Sequence, residues 1–187
     1  MTLSDKDKAD LLSIARGTLR YYFEQGRAPE SPETLGAEPS ADLRELRGVF
    51  VTLHKRAALR GCIGHILPQM PLGNAVIDNA INSAFRDPRF ERLRPEELPE
   101  VHIEISVLTP LVAVASYRDI EIGKHGILLS KKGCRSVFLP QVAPEQGWGL
   151  EETLRHLACK AGLGAEDWRE GAQFEVFEAI VFGEAMP

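Results

Sequence analysis

The chain has few cysteines and no long apolar run, and these shortages exclude several classes of protein. Three cysteines occur in 187 residues, widely spaced and without a CxxC pair. That pattern disfavours a disulfide framework and favours a reducing, cytoplasmic location. The sequence contains no apolar run of membrane-spanning length, so no membrane contact is expected. The first residues carry neither a basic nor an apolar region, so no secretory signal is predicted.

Positive charge is also in short supply. The chain has 22 Lys and Arg against 27 Asp and Glu, a net charge of −5, and only 7% aromatic residues. This balance argues against a nucleic-acid partner on electrostatic grounds. The motifs of dinucleotide binding, P-loop hydrolysis, nucleophile-elbow serine hydrolases and zinc proteases are absent from the sequence. What remains is 44% hydrophobic residues, which is enough to build the core of one domain.

The hydrophobic periodicity predicts a mixture of helices and strands. Ser4 is a suitable N-cap for the first helix, and Gly26 is a suitable stop. Helices are predicted over about 4–23, 71–85 and 150–161, and strands over 49–53, 59–63, 101–109, 127–130, 136–139 and 174–182. The strands and helices do not alternate as βαβ units. The sequence therefore predicts an α+β fold with a mostly antiparallel sheet and flanking helices.

The densest chemical pattern is LRGCIGH, residues 59–65. Cys62 lies between Gly61 and Gly64, and glycine permits unusual backbone angles and close approach of a ligand. Arg60 and His65 supply positive neighbours, which favour the reactive thiolate of Cys62. Cys62 is thus a candidate nucleophile. The alternative, a small buried cysteine on a strand whose glycines ease a bulge, stays open.

Metal binding has weaker support. Cys62 and His65 have C-x2-H spacing, and His156 and Cys159 are three apart on one predicted helix. Each pair is only half of a zinc site, and no second pair with suitable spacing lies near either of them. No metal site is therefore predicted, and Cys159, beside an apolar stripe, is interpreted as a core residue.

Two further residues could take part in acid–base chemistry. Glu104 points away from the apolar face of its strand, where it could orient a histidine, act as a base or simply contact solvent. His125 lies in the glycine-rich turn GKHG, where it could serve as an acid or base or be an ordinary turn residue.

Taken in order along the chain, several segments resemble the AMMECR domain family. They are VFVTL, LRGCIG, SAFRDPRF, EISVLTP, IGKHGILL, FLPQVAPEQGW and LACKAGL, and together they span about residues 11–182. The resemblance implies that 1–187 is a single domain of two unequal lobes, with both termini in the larger lobe and a cleft between the lobes. It also implies that LRGCIG lies at or near that cleft.

The resemblance also selects site residues and partners. It raises Cys62 to the leading site residue. Arg60, Gly61 and Gly64 match its signature, and His125 and Gln141 fall in other matching motifs. The residues themselves add Glu104 and His65, of which His65 follows the signature without belonging to it. The expected catalytic residues are Cys62, His125 and Glu104, with His125 or His65 as the base. The residues expected to contact substrate are Arg60, Gly61, Gly64, His65 and Gln141. Prokaryotic members of the family resemble a component of the AmmeMemoRadiSam system, whose other members are a Memo-like protein and a radical SAM protein. No cofactor follows from the resemblance.

Three functions stay open. The first is a cysteine-dependent enzyme in which Cys62 attacks an electrophilic centre of a small or protein-borne anionic substrate and Arg60 fixes the anion. The second is a non-catalytic accessory protein that works with Memo-like and radical SAM partners. The third is a nucleic-acid-associated regulatory factor, which the acidic balance disfavours.

Overall fold

The structure is a computed structural model that describes residues 3–185. In that range it contains α-helices and two four-stranded sheets with antiparallel strand pairs. The predicted α+β class is therefore confirmed. The described chain divides into two compact units. The first unit runs up to Leu108 and resumes at Ile180, and the second comprises Thr109–Ala179. The predicted cleft between two lobes stays a prediction.

Residues 3–185 contain five α-helices and eight strands. The helices are α1 (Asp5–Gln25), α2 (Ala41–Arg44), α3 (Leu72–Phe85), α4 (Val142–Gln146) and α5 (Leu150–Lys160). The strands are β1 (Val49–Lys55), β2 (Ala58–His65), β3 (Val101–Leu108), β4 (Val112–Ala113), β5 (Gly126–Lys131), β6 (Cys134–Phe138), β7 (Gln173–Phe177) and β8 (Ala179–Gly183). Within residues 3–185, no helix is both long enough and apolar enough to cross a membrane.

The N-terminal helix begins and ends where its sequence predicts. The Asp7 N–H donates to Ser4 Oγ at 3.1 Å, and the Ser4 N–H donates to the Asp7 carboxylate at 3.1 Å. This reciprocal pair satisfies backbone donors that the first turn of a helix leaves free. Gly26 ends α1 with a φ of 69°, a left-handed conformation that glycine adopts without steric cost.

The sheet of the first unit has the strand order β2-β1-β3-β8. Alternate residues of β1 and β3 form its apolar face, which packs with α1 and α3 into one core. The strand residues of this face are all nearly inaccessible: Val49, Val51, Leu53, Val101, Ile103, Ile105 and Val107. Side chains of a strand alternate between the two faces of a sheet. The residues between these positions therefore lie on the opposite face, which carries the candidate site.

The hairpin of β1 and β2 is tighter than the sequence suggests. The predicted strand 49–53 ends too early, because β1 continues to Lys55 and only Arg56 and Ala57 form the turn. Both adopt positive φ, 52° and 63°, as a two-residue hairpin turn that matches the strand twist requires. His54 is consequently a strand residue and not a turn residue.

The second unit has its own sheet, in the order β4-β7-β5-β6, and its own core. Leu154, Leu157 and Ala158 of α5 pack with Trp168 in that core. Cys159 follows on the same helix but is exposed. The prediction that it is a core residue is wrong, because one further helical step turns its side chain away from the buried stripe.

The last predicted strand, 174–182, is two strands in the structure. β7 joins the sheet of the second unit and β8 joins the sheet of the first, with the break at Glu178. Two hydrogen bonds with Thr109 fix the backbone at this break. The Thr109 N–H donates to the Glu178 carbonyl at 2.9 Å, and the Glu178 N–H donates to Thr109 Oγ1 at 2.8 Å. Two short runs of apolar residues separated by one polar residue cannot be distinguished from one strand by periodicity alone.

Candidate functional site

Cys62, Thr52 and Glu104 form a row across three strands of the first unit. Thr52 on β1 pairs with Cys62 on β2 and with Glu104 on β3. All three therefore lie on the face opposite α1 and α3. Cys62 and Glu104 are half-buried, and Thr52 is 9% exposed. Cys62 thus has a polar surrounding, unlike a cysteine that packs into an apolar core.

The Thr52 hydroxyl donates a hydrogen bond to the Cys62 sulfur, with Oγ1 and Sγ 3.3 Å apart. A donor directed at sulfur favours a negatively charged sulfur over a neutral one. The strand register fixes this contact, because Thr52 and Cys62 are directly opposed. The hydroxyl is therefore placed to stabilise a thiolate.

A buried carboxylate supports the backbone at Cys62. The Asp87 side chain is only 1% exposed and accepts the Cys62 N–H at 2.9 Å. It also accepts Arg89 Nε at 2.9 Å and Nη2 at 2.7 Å. The hydrogen bonds from the Arg89 side chain hold the pKa of Asp87 far below its usual value. Desolvation opposes this shift, and the backbone N–H groups of Cys62 and Arg89 add to it. Asp87 is thus negatively charged at neutral pH and orients Arg89.

Arg89 lies beside Cys62. Its Nη2 donates to the Cys62 carbonyl at 3.2 Å. Its pKa is raised, first by the hydrogen bonds to Asp87 and to a smaller extent by the Cys62 side chain. The Arg89 side chain is nevertheless 55% exposed. Its guanidinium is therefore accessible beside Cys62, where it can meet an anionic group from solution.

A surface pocket of about 790 Å³ lies on the first unit next to this arginine. The pocket is lined by charged side chains and one phenylalanine: Lys55, Arg60, Arg89, Phe90, Glu91, Arg94, Glu96 and Glu97. Its volume is in the range of small-molecule sites. The pocket offers room for a ligand that reaches Arg89.

Ser83 of α3 ties the strand of Cys62 to its neighbour. Its Oγ accepts the Ile63 N–H at 2.9 Å and donates to the Val51 carbonyl at 2.7 Å, so one hydroxyl bridges β1 and β2. The helix approaches so closely that a Cβ on Gly61 would lie 2.1 Å from the Ser83 carbonyl oxygen. Gly61 is therefore needed for contact with α3.

Gly64 makes room for a neighbour on the other face of the sheet. A Cβ at this position would lie 2.3 Å from the Phe50 ring. At both glycines, atoms of the protein itself occupy the space that a side chain would need: the Ser83 carbonyl at Gly61 and the Phe50 ring at Gly64. A direct contact of Gly61 or Gly64 with substrate stays a prediction.

Arg60 is held by the protein. It is the extra residue of a β-bulge, because Leu53 pairs with Gly61 and His54 pairs with Leu59. Its guanidinium donates to the Glu97 carboxylate at 2.9 and 3.2 Å and to the Glu91 carbonyl at 2.7 Å. The pKa of Glu97 is lowered to about 2, chiefly by the hydrogen bonds from Arg60. The predicted role of Arg60 as the anion binder stays a prediction, and Arg89 is the more exposed cation next to Cys62.

His65 lies on the opposite face of the strand from Cys62. It pairs with Val49, which belongs to the apolar face. Its Nδ1 is 3.2 Å from Asn79 Nδ2, which also donates to the Val49 carbonyl. Because Nδ2 is a donor, Nδ1 must accept, and a neutral His65 carries its proton on Nε2. This placement does not favour His65 as the base for Cys62.

His125 and Gln141 belong to the second unit. His125 Nδ1 accepts the Glu121 N–H at 3.0 Å, so its Nε2 is the nitrogen left for other contacts. Gln141 is exposed and immediately precedes α4. Their association with Cys62 stays a prediction.

Four supporting residues were missed by the sequence reasoning: Thr52, Ser83, Asp87 and Arg89. Three of them belong to SAFRDPRF, a segment that contributes to the family resemblance but was assigned no site residue. An available signal was the pair of opposite charges around Pro88, directly after a helix that is apolar on two faces. Among residues 3–185, no three His, Cys, Asp or Glu side chains converge as metal ligands do.

Comparisons with known proteins agree with the arrangement of these segments. The AMMECR1 family model matches residues 12–182. Protein Mbar_A1807 of Methanosarcina barkeri is 39% identical over 190 residues, covering 99% of this chain and 94% of its own. Protein MK0488 of Methanopyrus kandleri is 43% identical over 188 residues, covering 95% and 88%. The crystal structure of the uncharacterized protein PH0010 from Pyrococcus horikoshii matches with a TM-score of 0.86 and 36% identity, covering 99% of this chain and 95% of that one. The chain therefore belongs to the AMMECR1 family.

Proposed function

We propose that the protein is a cysteine-dependent enzyme that acts on a small or protein-borne anionic substrate. The observation that carries the proposal is the contact of Arg89 with Cys62, which the buried Asp87 carboxylate holds in place. A nucleophilic sulfur needs stabilisation of its negative charge. The Thr52 hydroxyl donates to this sulfur, and Arg89 donates to the backbone carbonyl of the same residue.

The proposed step is addition of Cys62 to a carbonyl carbon. The S–H proton passes to a base, the sulfur–carbon bond forms, and the π electron pair moves to the carbonyl oxygen. Collapse of this adduct expels the leaving group, which takes the proton from the base. Water then releases the acyl group from the sulfur and regenerates the thiol. Arg89 binds an anionic part of the substrate and holds the reacting carbon close to the sulfur.

Turnover of a panel of thioesters tests this function. The panel contains succinyl and glutaryl thioesters as anionic members and acetyl and butyryl thioesters as neutral ones. The wild type is expected to hydrolyse anionic members faster, and Cys62→Ser is expected to lose at least about a hundredfold in kcat/KM. Cys159→Ser is the matched control, because Cys159 is exposed in the other unit, and it should keep full activity. Undiminished turnover by Cys62→Ser, or no turnover of any member, would count against the proposal.

The accessory function implied by the family resemblance is the alternative. In it the protein, in the cytoplasm, works with Memo-like and radical SAM partners and carries out no catalysis through Cys62. Co-purification of the wild type with a Memo-like protein and a radical SAM protein tests this alternative. A complex that Cys62→Ser leaves intact, together with an inactive panel, would favour it over the enzyme.

A further inference from the structure

The base that accepts the Cys62 proton must lie on the same face of the sheet as the sulfur. The chain has five histidines. His65 is on the opposite face of β2 and is engaged by Asn79. His125 and His156 belong to the second unit. In the first unit, the histidines on the face of Cys62 are therefore His54 and His102.

His54 is the nearer of these two by strand register. It lies two residues beyond Thr52 on β1, and Thr52 is the partner of Cys62. Cys62 and His54 are thus diagonal neighbours on adjacent strands, a relation that places their Cα atoms about 7–8 Å apart and within reach of a long or aromatic side chain. His102 lies one strand farther away, on β3 opposite His54.

The His54 ring is free to accept a proton. Among the described residues it has no hydrogen bond or ion pair, and its ring contact is with His102, at 6.5 Å between centroids. Its ring nitrogens therefore keep their capacity to donate and accept.

The charged surroundings of His54 suit a proton acceptor. On β3, Glu104 is its diagonal neighbour and His102 is directly opposite. On β2, the titratable or charged residues near His54 are Cys62 and Arg60. The Arg60 guanidinium is paired with Glu97. A carboxylate beside an imidazole stabilises the imidazolium that forms when the proton arrives.

We propose that His54 is the general base for Cys62 and that Glu104 is a positioning residue that stabilises its protonated form. The inference rests on the proposed function and identifies the proton acceptor of that step. His54 takes the S–H proton as the sulfur adds to carbon, returns it to the leaving group, and takes a proton from water in the second half of the reaction.

Alkylation of Cys62 by iodoacetamide, followed by peptide mass spectrometry, tests the inference. His54→Ala is expected to lower the Cys62 alkylation rate near pH 7 by at least about tenfold. The matched control His102→Ala should stay within about twofold, since it is on the same face but one strand farther away. Added imidazole should restore part of the rate in His54→Ala. The pH dependence should follow two ionisations in the wild type and one in the variant, which a purely structural role would not produce.

His54→Gln, which keeps a polar side chain of similar length, replaces His54→Ala if circular dichroism shows that the alanine variant is unfolded. Rapid Cys62 alkylation in the wild type and in both His54 variants would overturn the inference alone. Wild-type alkylation of Cys62 no faster than that of Cys159, together with undiminished turnover by Cys62→Ser, would instead overturn the proposed function.

Discussion

Replacing Asp87 by asparagine should destabilise the first unit and disturb the backbone at Cys62. The carboxylate accepts the Cys62 N–H at 2.9 Å, the Arg89 N–H at 3.1 Å, and Arg89 Nε and Nη2 at 2.9 and 2.7 Å. Asparagine retains one acceptor oxygen but directs an N–H₂ donor at the remaining donors. It also removes the negative charge that neutralises Arg89.

The magnitude follows from the burial of the two partners. A hydrogen bond to a charged group contributes about 1.5–3 kcal/mol, and removing one partner of a fully buried pair costs about 3–5 kcal/mol. Arg89 is 55% exposed, so water can solvate its charge after the substitution. We therefore expect Asp87→Asn to lower the free energy of unfolding by about 2–3 kcal/mol near pH 7.

The difference in free energy of unfolding between the wild type and Asp87→Asn should become smaller at acidic pH. The folded-state pKa of Asp87 is lowered from 3.8, so its stabilising contribution is present above that value and is lost as the pH falls below it. Each pH unit below 3.8 should lower the free energy of unfolding of the wild type by up to about 1.4 kcal/mol. The asparagine variant lacks this titration, so the gap between the two proteins should shrink toward pH 3 and below.

Urea unfolding followed by far-ultraviolet circular dichroism measures this gap. Helical signal is preferable because α1 and α3 belong to the first unit, whereas both tryptophans, Trp148 and Trp168, belong to the second. Asp5→Asn is a suitable control, because the Asp5 side chain is fully exposed, and it should change stability by less than about 0.5 kcal/mol. Equal stability of Asp87→Asn and wild type near pH 7, or a gap that is the same at about pH 3, would refute the reasoning.

Three further substitutions test the support of the site. Ser83→Ala leaves a buried N–H and a carbonyl without their hydroxyl and should lower the free energy of unfolding by about 1–3 kcal/mol in urea titration. Gly61→Ala should lower the melting temperature because its Cβ would lie 2.1 Å from a backbone oxygen. Gly17→Ala inside α1, whose Cβ would make ordinary contact with the Leu35 side chain at 3.5 Å, should not lower it. Glu97→Gln should cost about 1–2 kcal/mol at neutral pH by releasing Arg60. That cost should fall as the pH drops from 4.5 toward 2, because the folded-state pKa of Glu97 is lowered to about 2.

The local elements could be predicted from the sequence because their causes are local. Ser4 with Asp7 and the glycine at position 26 define both ends of α1, and the strict alternation of 101–108 defines β3. The boundaries at Glu178 and at the 56–57 turn could not be predicted in the same way. The break at Glu178 depends on which sheet each half joins, which is a long-range choice that periodicity does not encode.

The candidate site could be predicted only in part. The glycine-flanked Cys62 stands out in the sequence, but three of its four supporting residues come from a segment 20 or more residues away in the chain, as the contacts with Ser83 and Asp87 show. His65 was more prominent than His54 because it is closer to Cys62 in sequence. In a strand, however, residues three apart point to opposite faces, and the hairpin register brings His54 to the face of Cys62 instead.

The relative rates at which iodoacetate and iodoacetamide alkylate Cys62 measure most directly whether Arg89 directs this thiol toward anionic substrates. The two reagents transfer similar groups but differ by one negative charge, so their rate ratio is insensitive to general changes in thiol reactivity. A unit charge at about 4 Å in water contributes about 1 kcal/mol. Because Asp87 is paired with Arg89 and offsets part of its charge, the rate ratio at Cys62 should exceed that at Cys159 by about twofold to fivefold at low ionic strength, and the excess should decline with added salt.

Arg89→Gln should bring the Cys62 ratio down to that of Cys159, while Arg86→Gln, at the end of α3, should not. A preference for iodoacetate over iodoacetamide should therefore be found at Cys62 and should depend on Arg89. Equal ratios at Cys62 and Cys159 in the wild type, or a Cys62 preference that survives Arg89→Gln, would contradict it.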